Sequence, residues 1–265
     1  MTQSSTAGSE AAKENDAGAL AQEEPWTAPV YNESVRVRID YQRAEEHHCL
    51  VRDQPGAAED SVKILRTRLL QLTRDRGWRT VLVTSARPGE GKTVTAINLA
   101  FAMAREYQQT IVLVDGDLRN PTIGTYLGIE GQKGLANYFV DDTPLHQIIL
   151  WPGVEKLTLI SGGPPLPNSA EVIGSPRMQA LVQEMKARYE DRYVFFDFPP
   201  LLTTADALAF LPLVDCVLLV VEAGKTSARD IVRAKKLIPE EKLLGLVLNK
   251  SDVLPQSYPA QQSDR

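Results

Sequence analysis

The chain has 265 residues, 43% of them hydrophobic and 24% charged, which is enough to bury a full core in one domain. Its formal charge of −5 offers no bulk attraction for nucleic acid or anionic lipid and argues against a general nucleic-acid binder. No run approaches the roughly 18 apolar residues of a membrane span, residues 1–25 lack a basic-then-apolar signal pattern, and the only cysteines, Cys49 and Cys216, suit a reduced cytosol rather than a disulfide framework.

Residues 1–58 are rich in Ala, Glu, Ser and Gln with scattered apolar positions, a composition that predicts a disordered, flexible N-terminal segment. Inside it, Val35-Arg36-Val37-Arg38-Ile39-Asp40 alternates in a way that fits a strand, a docking motif or a loose linker. His47-His48-Cys49 has no further ligands at metal-site spacing. From Glu59 to Arg76, Val62, Leu65, Leu69 and Leu72 fall on one helical face, with Lys63, Arg66 and Arg68 off it.

The apolar run Val81–Val83 then leads into Thr84-Ser85-Ala86-Arg87-Pro88-Gly89-Glu90-Gly91-Lys92-Thr93, and a helical pattern opens at Val94. Strand, glycine loop and helix in that order predict a phosphate cradle. Glycines accept the dihedrals that turn backbone N–H groups inward, and the helix N-terminus adds positive potential. The nucleotide-binding residues are therefore expected among Arg87, Pro88, Gly89, Glu90, Gly91, Lys92, Thr93 and Val94, with Lys92 on the β- and γ-phosphates and Thr93 on magnesium. The usual first glycine of the loop is Ala86 here.

A second apolar run, Ile111–Val114, ends in Asp115-Gly116-Asp117-Leu118-Arg119, and a third, Tyr193–Phe196, ends in Asp197-Phe198-Pro199-Pro200. Ligands of open α/β sheets lie at the carboxyl ends of the strands, so Lys92, Asp115, Asp117 and Asp197 should share one crevice. Magnesium favours one or two carboxylates plus phosphate oxygens, which suits Thr93, Asp115 and Asp197 and leaves Asp117 as a candidate base.

Helical patterns near 94–106, 175–189, 203–211 and 226–238 alternate with strands near 110–115, 157–160, 192–197, 215–222 and 244–249. That alternation predicts an α/β P-loop NTPase fold, a mostly parallel sheet with helices on both faces, over residues 59–250, followed by a flexible tail, 251–265. Cys216, inside the apolar run Val214–Val221, is expected in the core. Gly224-Lys225-Thr226 imitates a second phosphate loop, but Leu219 stands where its first glycine belongs, so Thr226 reads as a helix N-cap. Asn249-Lys250-Ser251-Asp252 matches the Asn-Lys-x-Asp string that reads guanine in GTPases and leaves the base open.

The order of P-loop, Asp-x-Asp-x-Arg after an apolar strand, and Phe-Asp-Phe-Pro-Pro resembles the Walker A, A′ and B motifs of the bacterial tyrosine kinases of exopolysaccharide and capsule loci. The resemblance runs through Gly162-Gly163-Pro164-Pro165-Leu166-Pro167-Asn168-Ser169-Ala170-Glu171 and Val220–Thr226 and covers about residues 58–250. Within the family it looks most like the soluble autokinases of loci associated with exosortase systems, with their Leu-Arg-Thr helix and Asn-Ser-Ala-Glu loop. It implies ATP and Mg2+ as cofactors, Asn249 near the adenine, and phosphoryl transfer to a tyrosine with Asp117 or Asp115 accepting or orienting the phenol proton.

It further implies a homo-oligomer built on Asp60-x-x-Lys63-x-x-Arg66, where the family has Glu-x-x-Arg-x-x-Arg and where lysine loses bidentate geometry. The family tail carries a tyrosine cluster; this tail has only Tyr258, with Tyr31 and Tyr41 as other candidate acceptors. A separate membrane chain-length-determinant protein, a polysaccharide co-polymerase, is the implied partner, which would hold the chain in the cytoplasm against the inner membrane. In related ParA/MinD ATPases a lysine at the position of Arg87 crosses a dimer, so Arg87 reads either as a residue acting in trans or as an exposed loop arginine. A ParA/MinD-like switch without tyrosine phosphorylation is the alternative function.

Overall fold

The computed structural model describes residues 34–53, 55–106, 109–187 and 191–251; Tyr31, Asp252 and Tyr258 lie outside them. In chain order the elements are β1 (Val35–Arg36), α1 (Tyr41–Glu46), α2 (Ala57–Thr73), β2 (Thr80–Ser85), α3 (Lys92–Ala104), β3 (Thr110–Asp115), α4 (Ile123–Leu127), α5 (Leu135–Val140), α6 (Leu145–Ile148) and β4 (Ile149–Trp151). There follow β5 (Leu157–Ile160), α7 (Ser169–Ile173), α8 (Pro176–Ala187), β6 (Arg192–Asp197), α9 (Asp206–Phe210), β7 (Cys216–Glu222), α10 (Ala228–Leu237) and β8 (Leu243–Asn249). One eight-stranded sheet runs β1-β4-β5-β3-β6-β2-β7-β8, parallel throughout except where β4 meets β5.

The central strands β2, β3, β5, β6 and β7 are buried on both faces, which is why they read as unbroken apolar runs rather than as alternating ones. Successive residues still feed opposite sides. Val81, Val83, Ile111, Leu113 and Phe195 join a core under α2 and α3, while Leu82, Val112, Val114, Val194 and Phe196 join a second core under α8 and α9. In α2, Leu69 and Leu70 are buried and Leu72 is exposed, so the buried stripe is shifted by part of a turn from the expected face.

The expectation of a flexible segment up to residue 58 does not hold for residues 34–53. β1 pairs with β4, Val37 N donates to Trp151 O at 3.0 Å, and Ile39, Ala44, Cys49 and Val51 are buried in the core over α3. Asp40 caps α1 by accepting from Arg43 N, and Asn98 Oδ1 accepts from Leu50 N at 2.7 Å. The polar composition of residues 1–33 masked this short amphipathic stretch, whose alternation supplies an edge strand. His47 stacks on Tyr126 with ring centroids 4.2 Å apart. Among the described residues no helix is long and apolar enough to cross a membrane.

Thr226 is not a helix cap. Ser227 caps α10, accepting from Asp230 N, and Thr226 Oγ1 instead donates to Glu90 Oε1 at 2.5 Å and accepts from Glu222 N.

Candidate nucleotide-binding and catalytic site

Parallel strands β2, β3 and β6 deliver their last residues to the same edge of the sheet, and the phosphate loop joins β2 to α3 across that edge. Gly89 and Gly91 take φ of +82° and +92°, conformations an L side chain resists. Gly91 is required twice over, because a Cβ there would come within 2.0 Å of Asn249 Nδ2. The loop is tied from three sides. Glu90 is buried, and its Oε2 accepts from Arg87 N at 2.8 Å. Asn249 Nδ2 donates to Glu90 O at 2.9 Å, and Lys250 Nζ donates to Gly89 O at 2.7 Å while pairing with Glu222.

Lys92 and the three expected aspartates do converge. Lys92 Nζ lies 3.3 Å from Asp117 Oδ2 and 3.4 Å from Asp197 Oδ1. Thr93 Oγ1 donates to Asp197 Oδ2 at 2.6 Å. Asp115 and Asp197 sit opposite one another in the β3–β6 register, and both are fully buried. Asp115 Oδ2 accepts from Thr122 N and Ile123 N, each at 2.9 Å, whereas its Oδ1 is buried with no hydrogen-bond partner among the described residues. Asp117 Oδ1 accepts from Asn120 N at 3.2 Å.

The electrostatics follow from three carboxylates sharing one ammonium. Burial, reinforced by the neighbouring Asp197 charge, pushes Asp115 up to about 8. Burial also raises Asp197, although Lys92 and Thr93 oppose it. Burial works against the Lys92 ammonium, but Asp197, Asp117 and Asp115 together outweigh it and hold Lys92 above the usual lysine range. A pocket that is short of positive charge and holds an orphaned carboxylate oxygen suits a hard divalent cation. Thr93, Asp115 and Asp197 are oxygen-bearing side chains of that pocket whose chemistry fits such an ion.

Other expected site residues fall elsewhere. Arg87 is forked onto Asp230 of the same chain, Nε to Oδ2 at 3.2 Å and Nη2 to Oδ1 at 3.0 Å. Arg66 pairs with Glu106 at 2.8 Å and Lys63 with Glu59 at 3.1 Å, both within the chain; Asp60 lies on the same helix. Sequence reading missed the supporting roles of Thr226, Asp230 and Lys250, since their partners Glu90, Arg87 and Gly89 are 136 or more positions away and nothing local announces them. It also missed why Gly116 separates the two aspartates of its motif: a Cβ there would meet Phe198 Cε2 at 2.0 Å.

A phosphate loop on an eight-stranded, mostly parallel sheet, with aspartates closing β3 and β6, defines a P-loop NTPase. The chain matches the family described as "ParA: NUBPL iron-transfer P-loop NTPase" over residues 78–262. It is 34% identical over 192 residues to the tyrosine-protein kinase YwqD of Bacillus subtilis, covering 72% of this chain and 80% of that protein. To the tyrosine-protein kinase CpsD of Streptococcus pneumoniae serotype 4 it is 31% identical over 204 residues, 76% of this chain and 88% of that one. The crystal structure of the chimerical protein CapA2B2 superposes with a TM-score of 0.68 at 26% identity, covering 83% of this chain and 93% of the other. The chain belongs to the bacterial tyrosine kinases of capsule and exopolysaccharide synthesis, a branch of the ParA-related P-loop ATPases.

Proposed function

We propose that this protein uses MgATP to phosphorylate tyrosine on copies of itself, and thereby regulates exopolysaccharide or capsule synthesis and export from the cytoplasmic face of the inner membrane. The observation that carries the reading is the convergence of Lys92, Asp115, Asp117 and Asp197 beside the phosphate loop. The backbone of residues 88–94 would cradle the phosphates, Lys92 would turn from its carboxylate partners to phosphate oxygens, and Thr93, Asp115 and Asp197 would hold magnesium. When bound, magnesium offsets the charge on the transferring phosphoryl group. Asp117, freed of its lysine partner, would be the better base, because it keeps some exposure while Asp115 is sealed.

Tyr258, outside the described residues, is the acceptor we assign, ahead of Tyr31 and Tyr41. Asp60, Lys63 and Arg66 are the α2 residues we assign to contact with a neighbouring copy, and Lys63 and Arg66 would exchange Glu59 and Glu106, their partners within the chain, to make it. The activating partner is a membrane chain-length-determinant protein. Purified protein incubated with MgATP, with and without that solubilised partner, should form phosphotyrosine that disappears in Lys92→Met and in Tyr258→Phe. Phosphate release with no phosphotyrosine on any chain would sink the kinase reading and promote a ParA/MinD-like switch.

A further inference from the structure

A second ionic cluster lies beside the crevice, in which a half-exposed arginine meets two buried residues. Arg119, two residues past Asp117, donates from Nε to Ser169 Oγ at 3.0 Å and stands 3.5 Å from Asp206 Oδ2. Ser169, the first residue of α7, donates from Oγ to Asp206 Oδ2 at 2.6 Å. Ser169 and Asp206 are completely buried, and Asp206 Oδ1 has no hydrogen-bond partner among the described residues. Among the described residues Arg119, itself about half exposed, is the cation paired with this buried carboxylate, and pulling it away would leave the carboxylate without a counter-charge, which is unfavourable. The guanidinium is held in place.

That hold reaches the candidate base. Leu166 N donates to Leu118 O at 2.7 Å, stapling the proline-rich loop to the Asp117–Asn120 turn. Asn120 N bonds back to both the carbonyl and the carboxylate of Asp117. The turn is thus fixed at Leu118 through backbone, at Arg119 through its side chain, and at Asn120 through Asp117 itself. The Asn-Ser-Ala-Glu stretch, so far without a part in the chemistry, supplies one of these fixings through Ser169.

We infer that Asp206 is a positioning residue for Asp117, acting through Ser169 and Arg119. Its buried charge keeps the turn that carries Asp117 in the geometry needed to meet an acceptor hydroxyl. The inference rests on the kinase reading for the identity of the reaction and on the three hydrogen bonds for the coupling.

Asp206→Asn preserves the shape and still accepts from Ser169, but it removes the charge that holds Arg119. In the full-length protein with MgATP we expect kcat to fall about 10- to 100-fold, the range set by sub-ångström to ångström misplacement of a reacting group. KM for ATP should stay within about twofold, because Lys92 and the phosphate loop are untouched. Arg119→Ala should reproduce the loss, the double variant should be no worse than either single one, and Arg119→Lys should recover part of the rate. Backbone amides of residues 118–120 and 166 should exchange hydrogen about tenfold faster in Asp206→Asn.

Wild-type kcat in Asp206→Asn, additive losses in the double variant, or unchanged exchange at these amides would each overturn the inference. Should Asp206→Asn fail to fold, the half-exposed Arg119 variants carry the same comparison. Phosphotyrosine and phosphate release are followed together, so a wild-type protein that hydrolyses ATP without phosphotyrosine rejects the kinase reading while the inference is judged on hydrolysis and exchange.

Discussion

The side-chain amide of Asn249 donates to the carbonyl of Glu90 at 2.9 Å and lies so near Gly91 that no side chain fits there. The last core strand is thereby fastened to the middle of the phosphate loop. Asn249→Ala removes one neutral hydrogen bond, worth about 1 kcal/mol net, so the dissociation constant for ATP should rise about fivefold by calorimetry. Gly91→Ala carries the crowding and also the cost of φ +92°; it should abolish measurable nucleotide binding while the far-ultraviolet spectrum stays that of the folded protein. Restored binding in Gly91→Ala/Asn249→Ala would show that crowding alone, and not the backbone angle, made this glycine necessary.

Asp115 makes the nucleotide-free protein sensitive to alkali. Its carboxyl is pushed up to about 8 by burial and by Asp197, whereas the unfolded chain titrates it near 3.9. Between those values the folded state binds the extra proton, so this group's contribution to stability is complete below about pH 4 and is lost as pH rises through about 8. Urea unfolding without divalent cation should therefore give a lower midpoint at pH 8.5 than at pH 6. Asp115→Asn should flatten that difference. An equal pH dependence in both proteins would remove Asp115 as its source.

Much of this site was legible because Asp115 and Asp197 stand where an apolar run stops at a charge, with Asp117 two residues past Asp115, and because Lys92 and Thr93 open the helix after a glycine loop that itself follows an apolar run. The central strands were legible because they are buried on both faces, which leaves unbroken apolar runs in the sequence. What escaped is of three kinds. α4 to α7 and β4 are three to six residues long, too short for a helical or alternating period to register. Long-range ties such as Thr226 to Glu90 and Arg87 to Asp230 depend on which loops the topology brings together, and the residues themselves read as an N-cap and as an arginine either acting in trans or exposed on its loop. The segment 34–53 escaped because its cover over the core involves only four buried apolar residues, Ile39, Ala44, Cys49 and Val51, set in polar surroundings.

Asp215 is expected to be the most costly single aspartate to lose outside the site. Its Oδ2 accepts from Arg79 N at 2.8 Å and Thr80 N at 3.0 Å, and its Oδ1 pairs with Lys186. Burial opposes its charge, yet these donors hold its carboxyl below the usual range. Asp215→Ala leaves two backbone N–H groups at the start of β2 without their acceptor, a loss of about 2–4 kcal/mol in denaturant unfolding. The contribution of the charge is present above about pH 4 and fades as pH falls, so the gap between wild type and Asp215→Ala should narrow in acid. A constant gap down to pH 3 would mean that packing, not the charge, is what the alanine removes.

Arg87 has a partner in its own chain, and that sets what a role in trans would require. The fork onto Asp230 must open before the guanidinium can reach the phosphates of a second copy. Asp230→Ala should then raise turnover at high protein concentration, where copies meet, and leave it unchanged at low concentration. Arg87→Ala should lower turnover only in the concentrated regime. The pair is solvent-exposed, so neither change should move the unfolding midpoint appreciably. Turnover per molecule that is the same at every concentration for all three proteins would confine Arg87 to its surface pairing.

Gly116 and Phe198 join the two acidic motifs. The Phe198 ring lies against the Gly116 backbone so closely that a Cβ would meet Cε2 at 2.0 Å and Cδ2 at 2.4 Å, and the same ring stacks on Phe210 with centroids 4.2 Å apart. A ring held from behind cannot retreat, so Gly116→Ala must move the strand end that carries Asp115 and Asp117. We expect loss of phosphoryl transfer of at least about 100-fold, together with a destabilisation of about 1–3 kcal/mol from overpacking. Phe198→Leu shortens the ring side and relieves the clash, so Gly116→Ala/Phe198→Leu should regain stability relative to Gly116→Ala. If the double variant is instead less stable than either single one, the contact is not what excludes a side chain at position 116.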